Sequence, residues 1–74
     1  MSSPLVYHTP YQPITLDLAE SLGLASLFVA AVEESLGDEW DPLLPPPVNE
    51  VCAMGPAGEK FDRVVGRLWK EGIL

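Results

Sequence analysis

Toward the end of the chain, Phe61, Val64, Val65, Leu68 and Trp69 fall at i, i+3, i+4, i+7 and i+8, while Glu59, Lys60, Asp62, Arg63, Arg67, Lys70 and Glu71 fill the positions between them. This is the period of a helix with one buried face, and it predicts an amphipathic helix that opens at Pro56 or Gly58 and stops at Gly72. Glu59 and Arg63 stand in the favourable i, i+4 order for an ion pair. Gly66 lies inside the pattern at a cost of about 1 kcal/mol relative to alanine, so a close contact is expected there.

A second periodic stretch runs from Thr15 to Leu36. Leu18, Leu22, Ala25, Val29, Val32 and Leu36 form one stripe, and Leu24, Leu27, Phe28 and Ala31 widen it until little polar surface remains. Thr15 is placed to cap this region, Asp17 and Glu20 lie near its start, and Gly37 can end it. A helix apolar nearly all round must be covered on several sides. Either it breaks at Gly23 and folds on itself, or a partner covers the excess.

The two remaining stretches lack a helical period. Residues 1–14 carry Pro4, Pro10 and Pro13, which oppose helix and favour extended geometry. They predict an N-terminal arm whose Val6, Tyr7, Tyr11 and Ile14 lie along a groove, pair as a short strand, or remain loosely ordered. Residues 38–58 carry five prolines, three of them consecutive at 45–47, and predict a polyproline-like connector with Leu43, Leu44 and Val48 turned inward. Together these patterns predict an all-α fold: a small bundle of two to three helices, helix-turn-helix-like in its first pair. The extended arm covers 1–14, and one helical domain spans 15–74 with its proline-rich connector at 38–58.

Composition narrows the class. Seventy-four residues make one small domain with a limited core. The single cysteine, Cys52, cannot form an internal disulfide and reads as a small buried apolar residue, which favours a reducing, cytoplasmic setting. The longest weakly polar run, Leu22 to Val32, is far shorter than the roughly 20 residues that span a bilayer, so no membrane partner is expected.

Charge is the most specific feature. Residues 1–58 hold eight of the eleven acids and no lysine or arginine, and all four Lys and Arg residues lie between Lys60 and Lys70. Five of the acids, Glu33, Glu34, Asp38, Glu39 and Asp41, fall within nine positions. Negative charge near a helix C-terminus meets the negative pole of the helix dipole, so an opposing cation or basic surface is expected.

Residues 15–34 resemble the helix-turn-helix pattern of small DNA-binding regulators, with Ala19 at the tight inter-helix position, Gly23 in the turn and Val29 in the core. Leu18, Leu22 and Val32 would pack the pair. The segment DRVVGRLWKEGIL is similar to the end of a winged-helix recognition helix. In the helix-turn-helix family the second helix supplies phosphate and base contacts, yet the corresponding Ala25, Ser26, Leu27, Ala30, Ala31 and Glu34 include no base, so a phosphate backbone would be repelled. Direct nucleic-acid binding is therefore the third choice, resting on Lys60, Arg63, Arg67 and Lys70.

Other chemistry finds no constellation. GPAGEK, 55–60, lacks the spacing and the Lys-Ser/Thr ending of a phosphate loop, and reads as a turn and helix start. PLLP, 42–45, has PxxP spacing but an acid, Asp41, at its flank. The acidic run lacks the calcium-loop pattern, and His8 and Cys52 are two zinc ligands where four are needed. No metal, cofactor or catalytic group is expected, and His8 is the sole conceivable base for the serines.

The sequence reading is thus a non-catalytic module that binds a basic surface of a partner protein through Glu33, Glu34, Asp38, Glu39, Trp40, Asp41, Leu43 and Leu44. Trp40 serves as the exposed aromatic anchor beside the acids. A stoichiometric inhibitor, including the nucleic-acid mimics of phages and other mobile elements, or an accessory subunit would act in this way. The alternative is a structural subunit of a larger assembly such as a virion, in which homo-oligomers form.

Overall fold

In the computed structural model, residues 5–37, 40, 41, 43 and 48–74 are described. Along the chain these form β1 (Val6–His8), β2 (Ile14–Thr15), α1 (Leu16–Ser21), α2 (Ala25–Leu36), β3 (Glu50–Cys52) and α3 (Pro56–Lys70). The strands make one mixed sheet in the order β2-β1-β3, with β1 antiparallel to β2 and parallel to β3. The fold is therefore α+β, and the expected all-α bundle is overturned.

The physical reason is where the arm buries its apolar side chains. In β1, Tyr7 points inward while Val6 and His8 face the other side, and its register partners Ile14 and Val51 point inward with it. Tyr7 and Ile14 are wholly buried, so residues expected to form an arm supply part of the core. Both flanks of β1 are hydrogen-bonded, which satisfies backbone groups that burial would otherwise strand. The parallel ladder begins with the Val6 amide donating to the Asn49 carbonyl at 2.8 Å.

An aromatic trio joins the layers. The Tyr7 ring on β1 lies 5.0 Å from Phe61 on α3, edge to face, and 6.1 Å from Phe28 on α2. Phe28 and Phe61 stand 5.8 Å apart, also edge to face. Ala19, Ala31, Val32 and Val65 are fully buried around them. Packing of this kind favours offset or perpendicular rings and adds to the burial of apolar area.

The apolar stretch from Thr15 to Leu36 breaks where glycine permits it. Gly23 has φ +75°, a left-handed conformation that side chains disfavour, and it separates α1 from α2 so that they fold onto one another. Thr15 caps α1, its Oγ1 accepting from the Leu18 amide at 3.3 Å. The buried positions of α2 are Phe28, Ala31 and Val32. Val29, expected in the core, is instead part-exposed at the surface.

Among the described residues, Leu43 and Val48 of the connector do not turn inward as expected. Leu43 is 91% exposed and Val48 is exposed, whereas Val51 enters the core through β3. Pro42 and residues 44–47 lie outside the described residues, and with them the polyproline expectation. Cys52 is exposed rather than buried, because strand alternation sends Val51 inward and its neighbours outward. Among the described residues Glu59 and Arg63 form no ion pair.

Candidate functional site

The acidic segment straddles the C-terminal end of α2, and the fold uses one of its carboxylates internally. Helix α3 opens with Gly55 at its N-cap and Pro56 as its first residue. Glycine has no side chain to accept the free amides of the first turn, and proline contributes none. Glu34 takes over that duty from α2: its Oε2 accepts from the Ala57 amide at 3.1 Å and its Oε1 from the Gly58 amide at 3.0 Å. The carboxylate also rests where a side chain at Gly55 would stand, 2.7 Å from the Cβ position. The positive end of α3 thereby neutralises a charge that α2 alone would find unfavourable.

Glu34 therefore holds two helices together, and its neighbour does not. Glu34→Ala is expected to lower the unfolding free energy by about 0.5–2 kcal/mol, the range for losing a helix cap, whereas Glu33→Ala stays within about 0.5 kcal/mol. Urea unfolding of the two variants side by side checks this contrast. A second link fixes the same corner, the Ser35 hydroxyl donating to the Cys52 carbonyl at 3.1 Å.

The other candidate residues divide. Glu33 is exposed and lines a shallow groove of about 400 Å³ with Ala25, Ser26, Val29 and Ala30. Asp41 is exposed, and its Oδ1 accepts from the Leu43 amide at 2.9 Å, shaping a tight turn that projects Leu43 outward. Trp40, expected as an exposed anchor, is half-buried and packs against the core, so Leu43 is the better-presented apolar group. Asp38, Glu39 and Leu44 lie outside the described residues.

Two groupings were not anticipated from sequence. On the outer face of the sheet, His8 Nε2 lies 3.2 Å from Glu50 Oε1, and His8 stands opposite Cys52 in the parallel register. Among the described residues no three His, Cys, Asp or Glu side chains are arranged to hold a metal ion. The signal in the sequence was the polar-apolar-polar run Glu50-Val51-Cys52, three residues long.

The second grouping is buried. The Tyr7 hydroxyl lies 2.6 Å from the place a Cβ on Gly58 would occupy and has no hydrogen-bond partner among the described residues. One turn further along α3, Oδ1 of Asp62 is buried and also lacks a partner among the described residues. Burial, then the negative charge of Asp62 and lesser effects from Cys52 and Glu34, push the Tyr7 hydroxyl up to about 12. Burial likewise holds the Asp62 carboxyl above its ordinary value of 3.8.

The folded chain consequently holds the Asp62 proton more tightly than the unfolded chain. The stability linked to that proton is complete below the ordinary carboxylate range and is lost as pH rises through the elevated native value. Asp62→Asn is expected to remove this pH step and to be more stable than the natural chain at neutral pH. Thermal unfolding across pH 3–8 checks it, and parallel profiles for the two proteins would contradict it.

No helix of the described residues is long and apolar enough to cross a membrane. Comparison with known protein families, curated proteins and solved structures found no match to the chain, so no relative lends this surface a function.

Proposed function

We propose that the protein is a non-catalytic binding module that docks a basic surface of a partner protein onto its acidic segment and blocks that surface, in the cytoplasm. The observation that carries this reading is the lack of internal counterions. Residues 1–58 contain no lysine or arginine, and among the described residues the only ion pair to an acid of that stretch is His8 with Glu50. Glu33 and Asp41 stand exposed at the segment, and Leu43 projects beside Asp41. Opposite charge speeds encounter and sets orientation, while a projecting apolar side chain supplies contact energy that exposed charge alone does not.

Glu34 is spent on the cap of α3, so the docking charge falls to Glu33, Asp38, Glu39 and Asp41. Affinity capture from the native host tests the reading, using the natural chain beside Glu33→Lys/Asp41→Lys. The expected partner has a basic surface, is retained by the natural chain at low salt, elutes as salt rises and is lost by the variant. Equal capture by both proteins, or capture indifferent to salt, contradicts the proposal.

A further inference from the structure

We infer that the basic, aromatic face of α3 is the docking surface for Glu33 and Asp41, the exposed acids of the acidic segment, with Leu43, of a second copy of this chain. The inference rests on that segment being a docking surface, as proposed above, and names its partner.

Lys60, Arg63, Arg67 and Lys70 are the chain's entire supply of lysine and arginine. All four are exposed, and among the described residues none is paired with a carboxylate. Arg63, Arg67 and Lys70 line a groove of about 440 Å³ together with Tyr11, Gly66 and Glu71. The groove has an apolar floor because Gly66 has no side chain: the Tyr11 ring rests directly on the helix there, within 2.5 Å of where a Cβ would stand. That ring lies 5.8 Å from Trp69, and both aromatics remain substantially exposed, Tyr11 at 39% and Trp69 at 49%. Cations flanking exposed aromatic rings form a surface suited to carboxylates that carry an apolar side chain among them.

The acidic segment offers that combination: Glu33 and Asp41 are exposed, and Leu43 projects into solvent beside Asp41. The two faces share no residue, so a single copy presents both at once. Such a contact is head-to-tail, and it generates a ring if the rotation closes or a filament if it does not. A nucleic-acid strand would meet the same cations but extend its phosphates along a surface whose first 58 residues carry eight acids and no lysine or arginine. A copy, though it too carries −7, meets the groove only through the carboxylates it presents there. A copy brings its acids clustered, and screening over roughly 8 Å at physiological ionic strength leaves the facing clusters to decide the contact.

Sedimentation velocity of the full chain over a range of concentration, at low and at high salt, tests the inference. Self-association at low salt that reverses with added salt is expected. Arg67→Glu/Lys70→Glu and Glu33→Lys/Asp41→Lys should each weaken it by about tenfold or more. An equimolar mixture of the two variants should associate again, because each supplies the face the other has reversed. Circular dichroism confirms that both variants stay folded, since all four substitutions fall on exposed side chains.

A natural chain that stays monomeric at every concentration overturns the inference, as does self-association unchanged in both variants. A monomer that binds single-stranded DNA, with the binding lost in Arg67→Glu/Lys70→Glu, overturns it in favour of nucleic acid. A monomer that still captures a basic foreign protein through Glu33 and Asp41 also overturns it, while leaving the function proposed above intact.

Discussion

Phe61→Ala is expected to remove a large share of the chain's stability at 25 °C. Truncating a buried phenylalanine costs about 3–5 kcal/mol through lost burial and the cavity left behind. A domain of this length has a total stability of about 4–11 kcal/mol at the usual 0.05–0.15 kcal/mol per residue, so one substitution removes between about a quarter and all of it. Phe61 is the worst place for that loss. Its ring is wholly buried and meets Tyr7 on β1 and Phe28 on α2, so the cavity opens where sheet and helices join. Circular dichroism and urea unfolding measure the effect. A loss below about 1 kcal/mol would mean that the three rings do not form the junction described.

Gly58→Ala is the second large effect, and it acts by excess rather than deficit. The added methyl would stand 2.6 Å from the Tyr7 hydroxyl oxygen and 2.8 Å from the Ala53 Cα. Tyr7 is fully buried, and Ala53 presents backbone, which no change of rotamer moves. Alanine ordinarily favours a helix interior over glycine by about 1 kcal/mol. Here overpacking at about 1–3 kcal/mol or more outweighs that gain. The expected result is a net loss of stability from a substitution that helix propensity alone would call favourable, read as a fall in the urea midpoint. A gain would show that β1 and α3 are not in contact at this glycine.

These two residues illustrate what sequence could and could not convey. Phe61 and Val65 declared themselves through spacing, because α3 is long enough for the period to repeat, and both are fully buried. The break at Gly23 and the cap at Thr15 were legible because each acts within a few residues of itself. The sheet was legible only in part, since strand pairing was one of the states open to the arm, while β3 and the three-stranded order gave no sign. Its strands are two and three residues long, too short for an alternating pattern to stand out, and prolines punctuate the segment that carries two of them. What fixes them is the burial of Tyr7, Ile14 and Val51 against Phe28 and Phe61, a tertiary preference that overrides local propensity.

The same distance problem governed the site. Glu34 looked like one more acid in a run, because the amides it caps are 23 and 24 positions away. Trp40 looked like an exposed anchor because it sits among charges, yet its ring packs against the core. Gly66 did announce a close contact, and Tyr11 supplies it from the far end of the chain. The charge map needed no structure, since it is a property of composition along the chain. The structure refines it by removing Glu34 from the free acids and by placing Leu43 in solvent beside Asp41.

The central claim is that the acidic segment is a docking surface, and chemical-shift mapping tests it most directly. The isotope-labelled chain is titrated with the partner recovered by capture, or with itself at rising concentration. The amides of Glu33, Asp41 and Leu43 and the indole of Trp40 are expected to shift together and return as salt is added. Saturating binding that leaves all four signals in place would contradict it.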